Sequence, residues 1–181
     1  MTGSSLYRRV MGDSFLRLHP ALQRLHSLVG SHVLQGDVQM QAPQSWLARL
    51  LARLMGTPLN AVDGAIRFEL DAEPDRETWT RHFPSGVMTS ALTQQQPFVV
   101  EKLGAARLAF ALKEFQGRLI MQLERLHFFG IPCPAWLLPA VVAEESGDGD
   151  FLRFNVRASL PWIGVVSGYC GKLLIPKEPN P

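Results

Sequence analysis

The chain has 181 residues, 46% of them apolar and 19% charged, with a formal net charge of +2. That length suits one domain whose core stands without disulfides or metals, and the apolar content excludes a disordered chain. The net charge is too small for a nucleic-acid footprint, so no nucleic-acid partner is expected.

In chain order, residues 4–12 predict a short helix, capped by Ser4 or Ser5, with Leu6, Tyr7 and Val10 on one face. A second short helix starts at Pro20 and stops at Gly30. Together they make a helical front over 4–30. It is also the basic part, since residues 1–60 carry six Arg against two Asp. Residues 32–41 change to a period of two, with Leu34, Val38 and Met40 on one face and Gly36 as a bulge. Residues 44–55 predict the clearest helix, in which Trp46, Leu47, Leu50, Leu51 and Leu54 form an apolar stripe opposite Arg49 and Arg53. Gly56 and Pro58 stop it.

From residue 63 the period is again two. Ile66, Phe68 and Leu70 alternate with Arg67, Glu69 and Asp71, and hairpin-length turns follow down to 175. Successive hairpins imply an antiparallel meander. The expected fold class is α+β, mostly antiparallel β. It is a strongly curved meander sheet, half-barrel or open barrel, with the N-terminal helices and the amphipathic helix 44–55 packed on its concave side. Residues 1–175 form the single domain, with the β meander over 63–175, and 176–181 a flexible tail.

Cys133 and Cys170 lie in no CxxC or Cys/His pattern, which suits reduced thiols in a cytoplasmic protein. Arg8 and Arg9 are not followed by an unbroken apolar run, so no secretory leader is expected.

Several short motifs, taken in order, resemble a bacterial family, domain of unknown function 4166. They begin with Leu6-Tyr7, Gly12, Phe15, Leu18-x-Pro20 and Leu25-His26, then Glu77-x-Trp79-x-Arg81-x-Phe83 and Met88-x-Ser90. Gly130-Ile131-Pro132-x-Pro134, Leu138-Pro139 and Glu144 follow. Phe154-x-Val156, Leu160-Pro161-x-x-Gly164 and Tyr169-x-Gly171 close the pattern. Pro84 stands where the family pattern has Gly, and Thr89 where it has a basic residue. The resemblance brings no catalytic motif to carry over. It implies a habit of fusion behind a saccharopine-dehydrogenase-like, nicotinamide-binding domain, although this chain has no GxGxxG and no βαβ unit of its own.

The residues themselves show no GxSxG, P-loop or HExxH. No two of the five histidines share metal-ligand spacing on one element, so neither a metal nor another cofactor is expected. Trp79, Arg81 and Glu77 share one strand face; Met121, Leu123, Arg125, His127 and Phe129 share another. A cation among apolar neighbours is costly unless it is paired or lines a solvated pocket. One reading is therefore a ligand site in which Arg81, Arg125 and His127 hold a polar head and Trp79, Met121, Leu123 and Phe129 line the body. The plainer reading pairs Arg81 with Glu77, Glu101 or Glu144 where an apolar face runs out into solvent. His26 is either a polar group at a cavity mouth or a helix-terminal His bonded to a carbonyl.

Three functions follow as expectations. The leading one is a non-catalytic module for a hydrophobic small molecule or lipid. The second is a domain that docks on an NAD(P)-dependent, saccharopine-dehydrogenase-like oxidoreductase. The third is an enzyme with a His/Glu acid–base pair, His127 or His82 with Glu101 or Glu144. Helix 44–55 also has the composition of a membrane-interface helix, but with only two cations it is read as a lid or as core packing, and membrane contact is not expected.

Overall fold

A computed structural model describes residues 5–177. Its strands are β1 (Gly30–Gln41), β2 (Asp63–Glu73), β3 (Arg76–Phe83), β4 (Gly86–Gln95), β5 (Phe98–Leu103), β6 (Ala106–Phe115), β7 (Arg118–Phe128), the two-residue β8 (Ile131–Pro132), β9 (Ala140–Asp148), β10 (Phe151–Leu160) and β11 (Gly164–Leu174). Every strand but β8 joins one wall. Each pairs antiparallel with its chain neighbours, β9 follows β7, and β11 returns to β1.

The result is a closed, ten-stranded, up-and-down barrel, not the half-barrel or open barrel expected from sequence. Closure removes the two rows of unpaired backbone groups that an open meander would leave on its first and last strands. The closing seam uses two glycines. A Cβ at Gly36 would collide with the Lys172 carbonyl, and one at Gly171 with the Asp37 carbonyl. Gly36 is not the expected bulge, because its register runs unbroken to Ile66 on one side and to Leu173 on the other. The seam between β7 and β9 is the short one: its register covers Leu119↔Glu145 and Ile120↔Glu144 alone.

The helices sit at the ends of the barrel, not on a concave face. α1 (Leu6–Met11), a 3-10 turn (Gly12–Arg17) and α2 (Pro20–Leu25) plug the end that carries the β2–β3, β4–β5, β6–β7 and β9–β10 turns. Ser5 caps α1 by accepting from the Arg8 N–H at 3.3 Å; Ser4, the other cap considered, lies outside the described residues. Charged side chains fasten the plug. Arg9 donates to Gln94 at 2.7 Å and to the Pro74 carbonyl at 2.6 Å, while Arg17 meets Glu114 and Arg24 meets Asp150, each at 3.0 Å. Between these ties Tyr7, Phe15, Leu22 and Leu25 are buried in the main core. Of the expected tail, 178–181 lies outside the described residues, and Lys177 pairs with Asp150 at 3.2 Å.

α3 (Trp46–Met55) lies at the opposite end. Ser45 caps it through the Ala48 N–H at 3.1 Å, and Gly56 ends it in the left-handed conformation, at φ 70°. Its packed face is Ala48, Leu51, Ala52 and Met55, against Val166, Leu160 and Ile163, in a small cluster separate from the main core. The larger residues of the predicted stripe, Trp46, Leu50 and Leu54, are exposed instead. Small side chains let the helix lie close to β11, and the rest of the stripe is left facing out.

Along the strands, burial follows the alternation read from sequence over β1, β2 and β3. Two irregularities interrupt it elsewhere. Opposite Ala109 and Phe110, β7 presents Arg125 and Leu123, so Glu124 is an extra residue. Opposite Ala158 and Ser159, β11 presents Ser167 and Val165, which makes Val166 the extra residue and turns it toward α3.

Candidate functional site: a polar centre inside the barrel

The inward faces are mostly apolar, with the buried polar side chains of the wall gathered in one region. There Glu77 and Arg81 of β3, Ser90 of β4 and Glu145 of β9 are buried, together with His26 at the end of α2. Period-two alternation puts Glu77, Trp79, Arg81 and Phe83 on the same inward face. Burying a guanidinium is costly unless it gains partners. Arg81 donates to Ser90 Oγ at 3.1 Å and stands 3.8 Å from Glu101. Its Cζ lies 5.0 Å from the Trp79 ring centroid and 5.8 Å from that of Phe68. Such cation–π contacts are worth about 2 kcal/mol where desolvated.

The second half of the centre comes from the plug. His26 Nε2 lies 2.6 Å from Glu145 Oε2. The His26 side chain thus reaches a carboxylate of the barrel wall and not a helix carbonyl. Tyr7 stacks on His26 with ring centroids 3.8 Å apart, and the Trp79 ring lies beside both, at 6.2 Å from Tyr7 and 6.1 Å from His26. The Trp79 indole N–H donates to Glu77 Oε2 at 3.0 Å. The Tyr7 hydroxyl and His26 Nδ1 are buried without a hydrogen-bond partner. Burial, then the Glu145 charge, holds the Tyr7 hydroxyl well above the usual tyrosine range. Burial also raises the Glu77 carboxyl, against the opposing pull of His26 and the Trp79 hydrogen bond.

Two small spaces meet here. One of about 100 Å³ is walled by Arg81, Glu101, Glu145 and Tyr169 with Met88, Leu92, Phe110 and Met121, and Met55 and Thr57 close it from the α3 end. The other, about 40 Å³, shares Trp79, Arg81, Glu145, Val156 and Tyr169. Both fall short of the roughly 300–1,000 Å³ of a drug-sized ligand site.

Of the seven residues predicted to hold a ligand, Trp79, Arg81 and Met121 line this chamber, and Leu123 packs against the core beside it. Arg125, His127 and Phe129 do not join them. The extra residue Glu124 reverses the parity of β7, so Leu126 now faces Leu108, while Arg125 and His127 stand opposite Ala109 and Arg107 on the outer wall. Arg125 lies over the Phe98 ring at 5.2 Å. Phe129, at φ 51°, projects into solvent beyond the strand end. The expected acid–base pairs do not form either: His82 meets Glu69 at 3.2 Å, and His127 is outside.

Sequence reading missed Glu145 as a site residue and gave Tyr7 only a helix face. A signal was present, because Tyr7, His26, Glu77, Trp79, Arg81, Ser90 and Tyr169 all belong to the scattered motif positions, and they converge here from five segments. Among the described residues, no three His, Cys, Asp or Glu side chains group in a way that could hold a metal ion.

Fold and centre together define the class: a closed antiparallel barrel with a plugged end and a buried polar middle. The chain belongs to the family described as a domain of unknown function (DUF4166), whose model matches residues 18–173. A comparison with curated proteins finds no match. Among solved structures the chain is similar to the crystal structure of Rv2717c from M. tuberculosis, with 14% identity and a TM-score of 0.50 over 88% of this chain and 99% of that one. At that identity the likeness concerns the fold alone.

Proposed function

We propose that the barrel interior is a non-catalytic binding chamber for a small, mostly apolar molecule with one polar end. The observation that carries this reading is the mixed wall of the 100 Å³ space, with Arg81, Glu101, Glu145 and Tyr169 on one side and Met88, Leu92, Phe110 and Met121 on the other. Pockets of this kind place a few polar groups in an apolar lining to fix orientation. The closed chamber suits a compact ligand. A lipid-sized one requires α3 to withdraw Met55 and Thr57. The attachment of α3 favours that motion, because the helix packs through its own small cluster outside the main core. Native mass spectrometry of protein purified from its own cell tests the reading. A co-purifying adduct that is lost in Arg81→Leu supports it, and a bare chain that takes up nothing from a total lipid and metabolite extract removes it.

A second reading, acid–base catalysis, draws on the His26–Glu145 pair at 2.6 Å in place of the pairs expected from sequence. The third, docking on a nicotinamide-dependent oxidoreductase, predicts an apolar patch without a cavity. The chamber supports binding of a compact molecule only, since at about 100 Å³ it is smaller than the several hundred cubic ångströms expected of a lipid site.

A further inference from the structure

The two ends of the barrel differ in charge. At the α3 end, residues 42–63, 84–86, 103–106, 129–139 and 160–166 contain three charged side chains, Arg49 and Arg53 on α3 and Asp63 at the start of β2. The plugged end is mixed, with Glu114, Asp148 and Asp150 beside Arg17, Arg24 and Arg153.

Three of the four tryptophans project from the α3 end. Trp46 is 76% exposed, Trp136 77% and Trp162 100%, whereas Trp79 is buried in the chamber wall. They come from three separate segments. Backbone ties bring α3 to its neighbours there: Ser45 Oγ donates to the Ile163 carbonyl at 2.7 Å, the Ala105 N–H to the Leu54 carbonyl at 3.1 Å, and the Phe129 N–H to the Ala105 carbonyl at 2.9 Å. Just below, on the outer wall, Lys102 stands opposite Arg107 and Arg107 opposite His127. Like charges facing each other across strands cost stability, and an external anion relieves that cost.

We propose that this end of the barrel docks on the surface of an anionic lipid bilayer. Trp46, Trp136 and Trp162 enter the headgroup layer, where indoles are favoured, and Arg49, Arg53 and Arg107 meet lipid phosphates. The occupant follows from shape and charge together. The aromatic side chains protrude singly from turns and a helix and do not form a flat patch, and both charges on α3, Arg49 and Arg53, are positive, with Asp63 at the start of β2 the one opposing charge at this rim among the described residues. The outer wall that rises from this end along β1 is polar, with Gln35, Asp37 and Gln39 outward. The proposal reverses the weight given to α3 in the sequence. It is independent of whether the chamber takes a ligand.

The test is co-sedimentation of the full chain with phosphatidylcholine vesicles, with and without phosphatidylglycerol, alongside tryptophan quenching by brominated lipid. Expected are partitioning that favours the phosphatidylglycerol vesicles, and a loss of about fivefold for each of Arg49→Gln and Arg53→Gln. Trp136→Ser and Trp162→Ser weaken it too. Both side chains are exposed, so the fold is retained. The triple variant with Phe at 46, 136 and 162 keeps only Trp79, and its emission escapes quenching. The proposal falls if neither vesicle is bound, or if binding ignores the tryptophan substitutions. It falls equally if lipid-free sedimentation shows a dimer that Trp162→Ser abolishes, which would assign this end to a second copy.

Discussion

His26 Nε2 and Glu145 Oε2, 2.6 Å apart, tie the plug to the barrel wall at a point where both side chains are buried. No other hydrogen bond from α2 reaches so deep among the described residues; Arg24 meets Asp150 at the rim. His26→Leu removes this tie and leaves the Glu145 carboxyl without its partner. The expected cost is roughly 1–3 kcal/mol. Urea unfolding gives the total, and amide exchange in α1 and α2, faster than in β1, shows that the plug loosens first.

Glu77 makes stability depend on pH. Burial raises its carboxyl above the usual 4.5 in the folded chain. The folded state then holds a proton that the unfolded chain has released. This contribution is fully present below about pH 4.5 and is lost as pH rises through the raised folded value. Glu77→Gln keeps an oxygen for the Trp79 indole and has no proton to lose. Relative to wild type, the variant gains stability as pH climbs from about 4.5 toward neutrality. Denaturation at several pH values checks the slope; a constant difference contradicts it.

Arg81 and Glu101, at 3.8 Å, form a double-mutant cycle. Arg81→Leu strands the carboxyl of Glu101 and is expected to cost about 3–5 kcal/mol. Arg81→Leu with Glu101→Leu recovers a large part of that, because two apolar side chains of similar volume replace the pair. Additive losses in denaturant titrations would show that the two side chains act separately.

Deleting Glu124 removes the extra residue of β7. Leu123 and Arg125 then become adjacent, and the alternation runs on unbroken with the same partners: Leu126 and Phe128 stay inward and Arg125 and His127 outward. The deletion is therefore expected to leave the barrel folded and its apolar surface covered. Binding of a hydrophobic dye at neutral pH, unchanged from wild type, is the measurement, with Glu124→Ala as a control that keeps the extra residue.

These contrasts show what the sequence could reveal. Alternation is local, so Ile66, Phe68, Leu70, Trp79 and Arg81 announced their faces correctly. One unpaired residue defeats the same logic: nothing in the types of Glu124 or Val166 marks them as extra, and every position past Glu124 was assigned the wrong side. Closure is a pairing between the two ends of the meander, and Gly36 and Gly171, which serve it, read locally as a bulge and as a point of strand curvature. The orientation of α3 misled for a different reason. Its large side chains suggested one broad buried face, while the contact with β11 is made by Ala48 and Ala52, with only Leu51 of the predicted stripe packed beside them. The centre was half visible: Arg81 and Trp79 could be paired by periodicity, but Glu145 meets His26 across 119 residues of chain.

The short register between β7 and β9 gives the barrel a direction of weakness. Above Leu119 and Ile120 the two strands share no pairing, and Met121 on one side and Val141 and Ala143 on the other line the chamber. A hoop spliced along most of its circumference and merely tacked at one place splits at the tack. Strain on the barrel is therefore expected to part the side wall between β7 and β9 before it moves either the plug or α3.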